Sequence, residues 1–138
     1  MKRKTSVPPG CPCGGPDYAG CCGRFHRGEA LPANAEQLMR SRYSAYVLND
    51  LAWLRETWHP GTCPADLEAD LESRWLGLAI KAHTQQDESH AVVEFVARYK
   101  RGGRAYRLHE RSRFVREPRR EGEAPRWLYL DGEMLGEP

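Results

Sequence analysis

The chain has 138 residues, of which 40% are hydrophobic and 29% charged, and its net charge is only +2. That length admits one ordinary domain, or a small domain with a metal-held appendage, and excludes a large multidomain enzyme; the composition is too apolar and too balanced for wholesale disorder. No run of about 18 apolar residues occurs, which excludes a membrane-spanning helix, and so small a net charge does not by itself argue for nucleic acid.

Met1-Lys2-Arg3-Lys4 has the charge of a signal-peptide opening, but Thr5-Ser6-Val7-Pro8-Pro9-Gly10 follows where an apolar stretch is required. A cytoplasmic protein is therefore expected. The cysteine pattern agrees: there are five cysteines, an odd number, and Cys11, Cys13, Cys21 and Cys22 crowd together, as thiols in a reducing compartment do when they serve a metal. The segment is a C-x-C pair, a short loop and an adjacent C-C pair. Zinc prefers a tetrahedron of thiolates or imidazoles, and a structural site fills all four positions with protein ligands. Gly14, Gly15, Gly20 and Gly23 give the backbone the tight turns that such a knuckle needs. His26 is the alternative ligand, taking the place of Cys21 or Cys22. A disulfide between Cys21 and Cys22 would close a strained ring, and one between Cys11 and Cys13 is also awkward.

After the knuckle, Asn34 with Gln37 three residues on predicts a helix start. Met39, Tyr43, Tyr46 and Val47 recur at helical spacing, so an apolar stripe runs to about Leu48. Asp50 caps a second expected helix, with Leu51, Leu54 and Trp58 on one face, ended by Pro60 and Gly61. A further helical piece is expected from Ala65 to Ser73. The period then changes to alternation: Leu76, Leu78, Ile80 and Ala82 share a face, and Ala91, Val93, Phe95, Ala97 and Tyr99 share one in the next strand. Gly102-Gly103 predicts a two-residue hairpin turn. With those glycines at the tip, Tyr99 faces Tyr106, Ala97 faces Leu108, Phe95 faces Glu110 and Glu94 faces Arg111, all stabilising cross-strand pairs except the third. Trp127-Leu128-Tyr129-Leu130-Asp131 supplies a last strand. Helices followed by antiparallel hairpins make the class α+β.

The third of those pairs singles out Glu110, a carboxylate on an apolar sheet face. Desolvation there requires a partner, for which His59 and Arg42 are the candidates. Helices laid over a bent sheet leave an apolar cavity with a few polar groups; Arg42, Trp58, His59, Glu110 and Tyr129 are the candidates for its lining. The bland alternatives are a satisfied ion pair at Glu110 and a helix-end role for His59. A nucleophilic pair of Cys63 with His59 lacks any accompanying oxyanion feature. The arginines between Arg98 and Arg120, interleaved with Tyr99, Tyr106 and Phe114, read first as a solvated sheet face and only second as a phosphate-binding stripe.

Cys11-Pro12-Cys13-Gly14, Tyr18 and Cys21-Cys22-Gly23 together resemble the SEC-C motif, the zinc-binding tail of the SecA translocation ATPase, with a loop one residue shorter than usual. That resemblance implies zinc as cofactor, held by Cys11, Cys13, Cys21 and Cys22. Leu38-Met39-Arg40-Ser41-Arg42-Tyr43-Ser44-Ala45-Tyr46, Thr57-Trp58-His59-Pro60, Glu94-Phe95-Val96-Ala97-Arg98-Tyr99, His109-Glu110-Arg111-Ser112-Arg113-Phe114 and Trp127-Leu128-Tyr129-Leu130-Asp131-Gly132 resemble the bacterial YchJ family over nearly the whole chain. This resemblance implies a SEC-C motif over residues 1–30 joined to an α+β domain of the nuclear transport factor two-like fold over residues 31–138, a cone of bent sheet and helices around a pocket. It implies architecture more than activity. The expected function is a zinc-binding adaptor that docks a protein partner through its knuckle and is more an interaction module than an enzyme. The alternatives are a small pocket enzyme using His59 and Glu110 for acid–base chemistry, with a small-molecule ligand, and, third, a nucleic-acid-binding protein.

Overall fold

The computed structural model describes residues 10–136, so the basic opening at Met1–Lys4 and the segment after it lie outside the described residues. Three helices, α1 (Cys22–His26), α2 (Ala35–Leu48) and α3 (Leu51–Glu56), precede four strands, β1 (Arg74–Gln85), β2 (His90–Arg101), β3 (Arg104–Glu117) and β4 (Arg126–Met134). The strands form one antiparallel sheet in the order β1-β2-β3-β4, and α2 lies against β1, β2 and β4.

Local chemistry sets the ends of α2. Asn34 Oδ1 accepts the Gln37 N–H at 2.8 Å, while the Gln37 side chain reaches back to the Ala33 N–H at 2.8 Å, one residue before the usual capping-box position. At the other end Asn49 adopts φ 59°, and the Asp50 N–H bonds the Ala45 carbonyl at 2.8 Å, which closes the last turn. Asp50 then caps α3 by accepting the Trp53 N–H at 3.0 Å.

Two helical expectations require correction. The second helix stops at Glu56 rather than at Pro60, because the main chain leaves it to pair with β4: the His59 N–H donates to the Tyr129 carbonyl and the Tyr129 N–H to the Thr57 carbonyl, each at 2.8 Å. Sheet pairing satisfies those amides without another helical turn. Residues 65–73 form no helix. Leu67 packs on the core from an irregular segment while Leu71 is 80% exposed, so no apolar stripe is buried there, and Asp70 instead folds a turn by accepting the Glu72 and Ser73 amides and the Ser73 hydroxyl.

The central hairpin follows the expected register, with Tyr99 opposite Tyr106, Ala97 opposite Leu108, Phe95 opposite Glu110 and Glu94 opposite Arg111. Its tip needs both glycines, since Gly102 and Gly103 have φ of 59° and 81° and the two-residue turn that matches strand twist takes positive φ at both positions. In β1 the simple alternation fails. Irregularities between Trp75 and Gly77 and between Ile80 and Ala82 shift the parity, so Trp75, Leu78 and Ile80 pack on the core while Leu76 is 49% exposed and Ala82 faces solvent. Each extra residue bends the strand, and a third shift lies between Arg113 and Phe114 where β3 meets β4. The bends are what let the sheet curve under α2.

Ala91, Val93, Phe95, Ala97, Phe114 and Trp127 carry the sheet side of the core, and Ala35, Leu38, Met39, Tyr43 and Ala45 the α2 side. At the open end of β4, Gly132 lies beside the Glu110 side chain, and a methyl group added there would overlap the Glu110 carboxylate. Gly132→Ala should therefore cost about 1–2 kcal/mol of stability by forcing that carboxylate off its partners. Urea denaturation checks this, and in a Glu110→Ala background the same substitution should cost clearly less.

Candidate metal centre and cavity

The chain from Gly10 to His26 is wound so that four sulfurs converge. Sγ atoms of Cys11, Cys13, Cys21 and Cys22 all lie within 4.8 Å of one another, and Cys13 and Cys21 are 3.7 Å apart. A tetrahedron with metal–sulfur bonds of about 2.3 Å has edges of about 3.8 Å, so the cluster fits a four-thiolate ion with small adjustments. The turns that achieve this are tight. Cys11 N–H donates to the Gly15 carbonyl, the Gly14 N–H to the Cys11 carbonyl, and the Cys21 and Gly23 amides both to the Tyr18 carbonyl. Gly14 has φ 107°, and a Cβ at Gly15 or Gly23 would strike the Cys21 sulfur or the Tyr18 carbonyl. Here the glycines are required by close approach and not only by flexibility.

Cys11, Cys13 and Cys22 are buried and Cys21 is partly so. The thiols interact strongly as free acids. The hydrogen bond from Cys22 stabilises the Cys13 thiolate and holds its pKa down at about 5. Burial, and then the proximity of Cys13, pushes Cys21 up to about 11; Cys22 is pushed far up, chiefly by the hydrogen bond it gives Cys13 and then by burial. One negative charge is accommodated among four sulfurs, and only a cation at their centre would favour more.

His26 lies outside this cluster, because both of its ring nitrogens are engaged elsewhere. Nε2 donates to the Ser41 carbonyl at 2.9 Å and Nδ1 accepts from the Tyr18 hydroxyl at 2.7 Å. It is a clamp between the knuckle and α2. Three more α2 residues complete the seam: Arg40 Nη1 donates to the Cys13 carbonyl at 3.0 Å, Ser44 Oγ lies 3.5 Å from Cys11 Sγ, and Ser41 Oγ accepts from Trp53 Nε1 at 2.9 Å. Ser41 and Ser44 are fully buried. The helical spacing of Met39, Tyr43, Tyr46 and Val47 does not mark this seam, to which Ser41 and Ser44 belong.

On the opposite side of α2 a cavity of about 220 Å³ lies between the helix and the sheet. Its walls are largely aromatic: Tyr43 and Tyr46 from α2, Trp75 from β1 and Phe95 from β2. Its polar groups are Arg42, Glu110, Ser112 and Tyr129. Glu110 Oε2 accepts from Ser112 Oγ at 2.6 Å and from the Tyr129 hydroxyl at 3.1 Å. Burial, followed by the negative charge of Glu110, raises the Tyr129 pKa well above its ordinary value. Arg42 is 2% exposed; its guanidinium carbon lies 4.8 Å from the Trp58 ring and 4.5 Å from the Tyr129 ring. Its Nη1 donates to the Leu54 carbonyl at 2.9 Å and to Thr57 Oγ1 at 2.7 Å, and burial lowers its pKa.

Of the five residues nominated for the lining, Arg42, Glu110 and Tyr129 therefore meet at the cavity, and Trp58 backs Arg42 from outside it. His59 lies elsewhere. Its Nε2 pairs with Glu117 Oε2 at 2.8 Å and its Nδ1 accepts the Gly61 N–H at 2.9 Å, because the pairing of residues 57–59 with β4 carries the imidazole toward the end of β3. The expected partners of Glu110, His59 and Arg42, are thus replaced by Ser112 and Tyr129. Cys63 Sγ lies 3.7 Å from the Pro64 carbonyl. On the arginine-rich hairpin Arg111 pairs with Glu94 and Glu133, and Arg113 with Asp131; beyond it Arg119 and Arg120 pair with Glu56. Those carboxylates neutralise much of what a phosphate stripe would need.

Comparison with known proteins agrees with this architecture. The model of the family domain described as "YchJ, middle NTF2-like domain" matches residues 34–132. A UPF0225 protein of Cupriavidus pinatubonensis is 68% identical over 136 residues, covering 98% of this chain and 94% of its own length. One from Bordetella pertussis is 54% identical over 138 residues, covering 97% and 99%. The solution structure of a SEC-C motif containing protein from Rhodopseudomonas palustris superposes with a TM-score of 0.77 at 34% identity, covering 92% of this chain and 99% of that one. A crystal structure of a SEC-C motif containing protein from Psychrobacter arcticus gives a TM-score of 0.74 at 31% identity, covering 93% and 84%. With its α+β cone and its amino-terminal cysteine cluster, the chain belongs to the YchJ (UPF0225) family.

Proposed function

We propose that this protein is a zinc-dependent docking module. In this reading Cys11, Cys13, Cys21 and Cys22 hold one zinc ion, residues up to about 30 form the metal lobe, and residues 31–138 form the α+β domain that supports it. The convergence of the four sulfurs carries the proposal. All four tetrahedral positions are filled by protein, which is the arrangement of a structural ion rather than of one with an open position for chemistry. The ion's contribution is shape: a segment this small has too little core to order itself, and metal binding supplies that free energy.

The surface around the lobe supports a protein partner. Gly14, Pro16, Asp17, Ala19 and Gly20 are exposed on the loop between the cysteine pairs, while the sulfurs beneath are covered. Beside the loop lies an apolar groove of about 480 Å³, bounded by Pro12 and Tyr18 from the lobe, Val47 and Leu48 from α2, and Leu76 from β1. Leu48 and Leu76 are each 49% exposed there. An apolar segment of a partner protein fits such a surface, since it covers leucines that otherwise face water. Among the described residues no helix is long and apolar enough to cross a membrane.

Capture of binding proteins by zinc-loaded protein tests this. A specific partner should be lost both with Cys13→Ser, which removes a ligand, and with Leu76→Asp, which leaves the zinc content unchanged. A partner retained equally by both variants would remove the lobe and its groove from the interaction.

Zinc uptake should also follow thiol chemistry. Near neutral pH Cys21 and Cys22 hold their protons in the metal-free protein, so binding must release them. With a single negative charge among the four sulfurs beforehand, three protons are displaced per ion, which makes the apparent zinc affinity fall by about a thousandfold for each pH unit lowered, between about pH 6 and 8. Competition with a chromophoric chelator across that range measures the slope. His26→Ala, which lies outside the ligand set, should keep stoichiometric zinc while loosening the lobe from α2, seen as faster amide exchange through residues 10–30.

A further inference from the structure

The cavity beneath α2 has a composition that the docking role does not use. It holds one cation and one carboxylate that do not meet: among the described residues Arg42 makes no ion pair, and Glu110 is bonded by Ser112 and Tyr129 instead. Tyr129 stands between them, its ring face against the Arg42 guanidinium and its hydroxyl on the Glu110 carboxylate. A buried ion pair kept only for stability would close that gap, because separated charges lose their attraction and keep their desolvation cost.

Arg42 is moreover only partly satisfied. Both of its hydrogen bonds use Nη1, and among the described residues Nε and Nη2 make none. The Trp58 and Tyr129 rings against which it lies, themselves set edge to face, offset part of the cost of burying a cation but supply no acceptor. A guanidinium presents its donors as a planar fork that matches a carboxylate. At the other polar group, Oε2 of Glu110 takes both hydroxyl bonds, which leaves Oε1 with acceptor capacity for an added donor. The remaining wall, Tyr43, Tyr46, Trp75 and Phe95, is apolar in its rings, and the volume of about 220 Å³ lies below the usual range for drug-sized ligands.

We propose that this cavity binds a small zwitterion with an apolar body, of the α-amino-acid type, its carboxylate on Arg42, its ammonium on Glu110 and its side chain against the aromatic wall. The charges of the cavity sum to zero, so a zwitterion leaves none uncompensated, whereas a simple anion or a simple amine leaves one buried charge unmatched. Trp75 on the wall gives the binding a spectroscopic signature.

The test uses the full, zinc-loaded protein and three probe chemistries: L-phenylalanine and L-leucine as zwitterions, 3-phenylpropanoate as the deaminated acid, and phenethylamine as the decarboxylated base. Calorimetry and tryptophan fluorescence should show a zwitterion bound saturably, with the two truncated probes weaker by about tenfold or more, the worth of one charge-assisted hydrogen bond. Glu110→Gln keeps the side chain's shape beside Gly132 and should reverse the preference, so that 3-phenylpropanoate binds at least as tightly as L-phenylalanine. Arg42→Met removes two structural bonds and can disturb folding, so Ala97→Leu serves as the second variant: it fills the cavity from the sheet side and should abolish binding while the circular dichroism spectrum and zinc content stay unchanged. The proposal is overturned if 3-phenylpropanoate binds wild-type protein as tightly as L-phenylalanine, if Glu110→Gln leaves the preference unchanged, or if no probe gives a saturable signal. Zinc content and partner capture are read separately, so failure here leaves the docking role standing, and loss of docking leaves this site standing.

Discussion

Helix α2 has no face that it can give to water through its middle. From Leu38 to Ala45 every residue is buried except Arg40, and that run includes Ser41, Arg42 and Ser44. A helix buried all round must be covered on two sides, because burial of one stripe leaves the opposite side wet. The curved sheet covers one side and the cysteine knuckle covers the other. The lobe therefore acts as part of the domain's core as well as an appendage to it, and Phe25, Cys11, Cys13 and Cys22 share the same apolar cluster as Leu38 and Met39. What holds the four sulfurs together also keeps α2 dry.

That constraint explains which polar contacts had to exist. Serine in a helix interior is neutral at best, and a buried serine must find a partner. Ser41 finds two, donating to the Leu38 carbonyl at 2.7 Å and accepting from the Trp53 indole. The Ser41 carbonyl also takes the His26 Nε2–H, so one residue ties α1, α2 and α3 together. On the cavity side Arg42 does comparable work for the loop after α3, holding the Leu54 carbonyl and Thr57. Neighbouring positions on one helix thus serve different sides, since the 3.6-residue period turns each residue by about 100° from the last.

How much of this could be read beforehand depended on how local the signal was. The hairpin register follows from two glycines whose positive φ fixes the turn, and once the turn is fixed every pair behind it is counted off. Asn34 and Asp50 act within their own turns, so both helix starts were legible. The four cysteines were legible too, since their spacing and flanking glycines point to one tetrahedral cluster. The parity of β1 was not: the extra residues that place Trp75 inward and Leu76 outward answer to the curvature of a sheet whose other strands are distant in sequence. The end of α3 was missed for the same reason, its last turn giving way to pairing with Tyr129 some 70 residues on. Glu110 was correctly marked as a carboxylate on an apolar face, yet its partners could not be named. Ser112 sits two positions away on the same strand face, and Tyr129 arrives through a register shift between β3 and β4.

The two faces of α2 place the cysteine knuckle and the cavity on opposite sides of a single helix. Tyr43 borders both the cavity and the groove beside the lobe, and so does Trp75 of β1. Their rings meet edge to face at 5.7 Å and form the partition between the two spaces. A partition of two aromatic rings is stiff in close packing and moves by discrete rotation rather than by gradual yielding. Behind the helix that the lobe covers, a run of ring contacts continues from Tyr43 through Trp75 and Tyr99 to Tyr106.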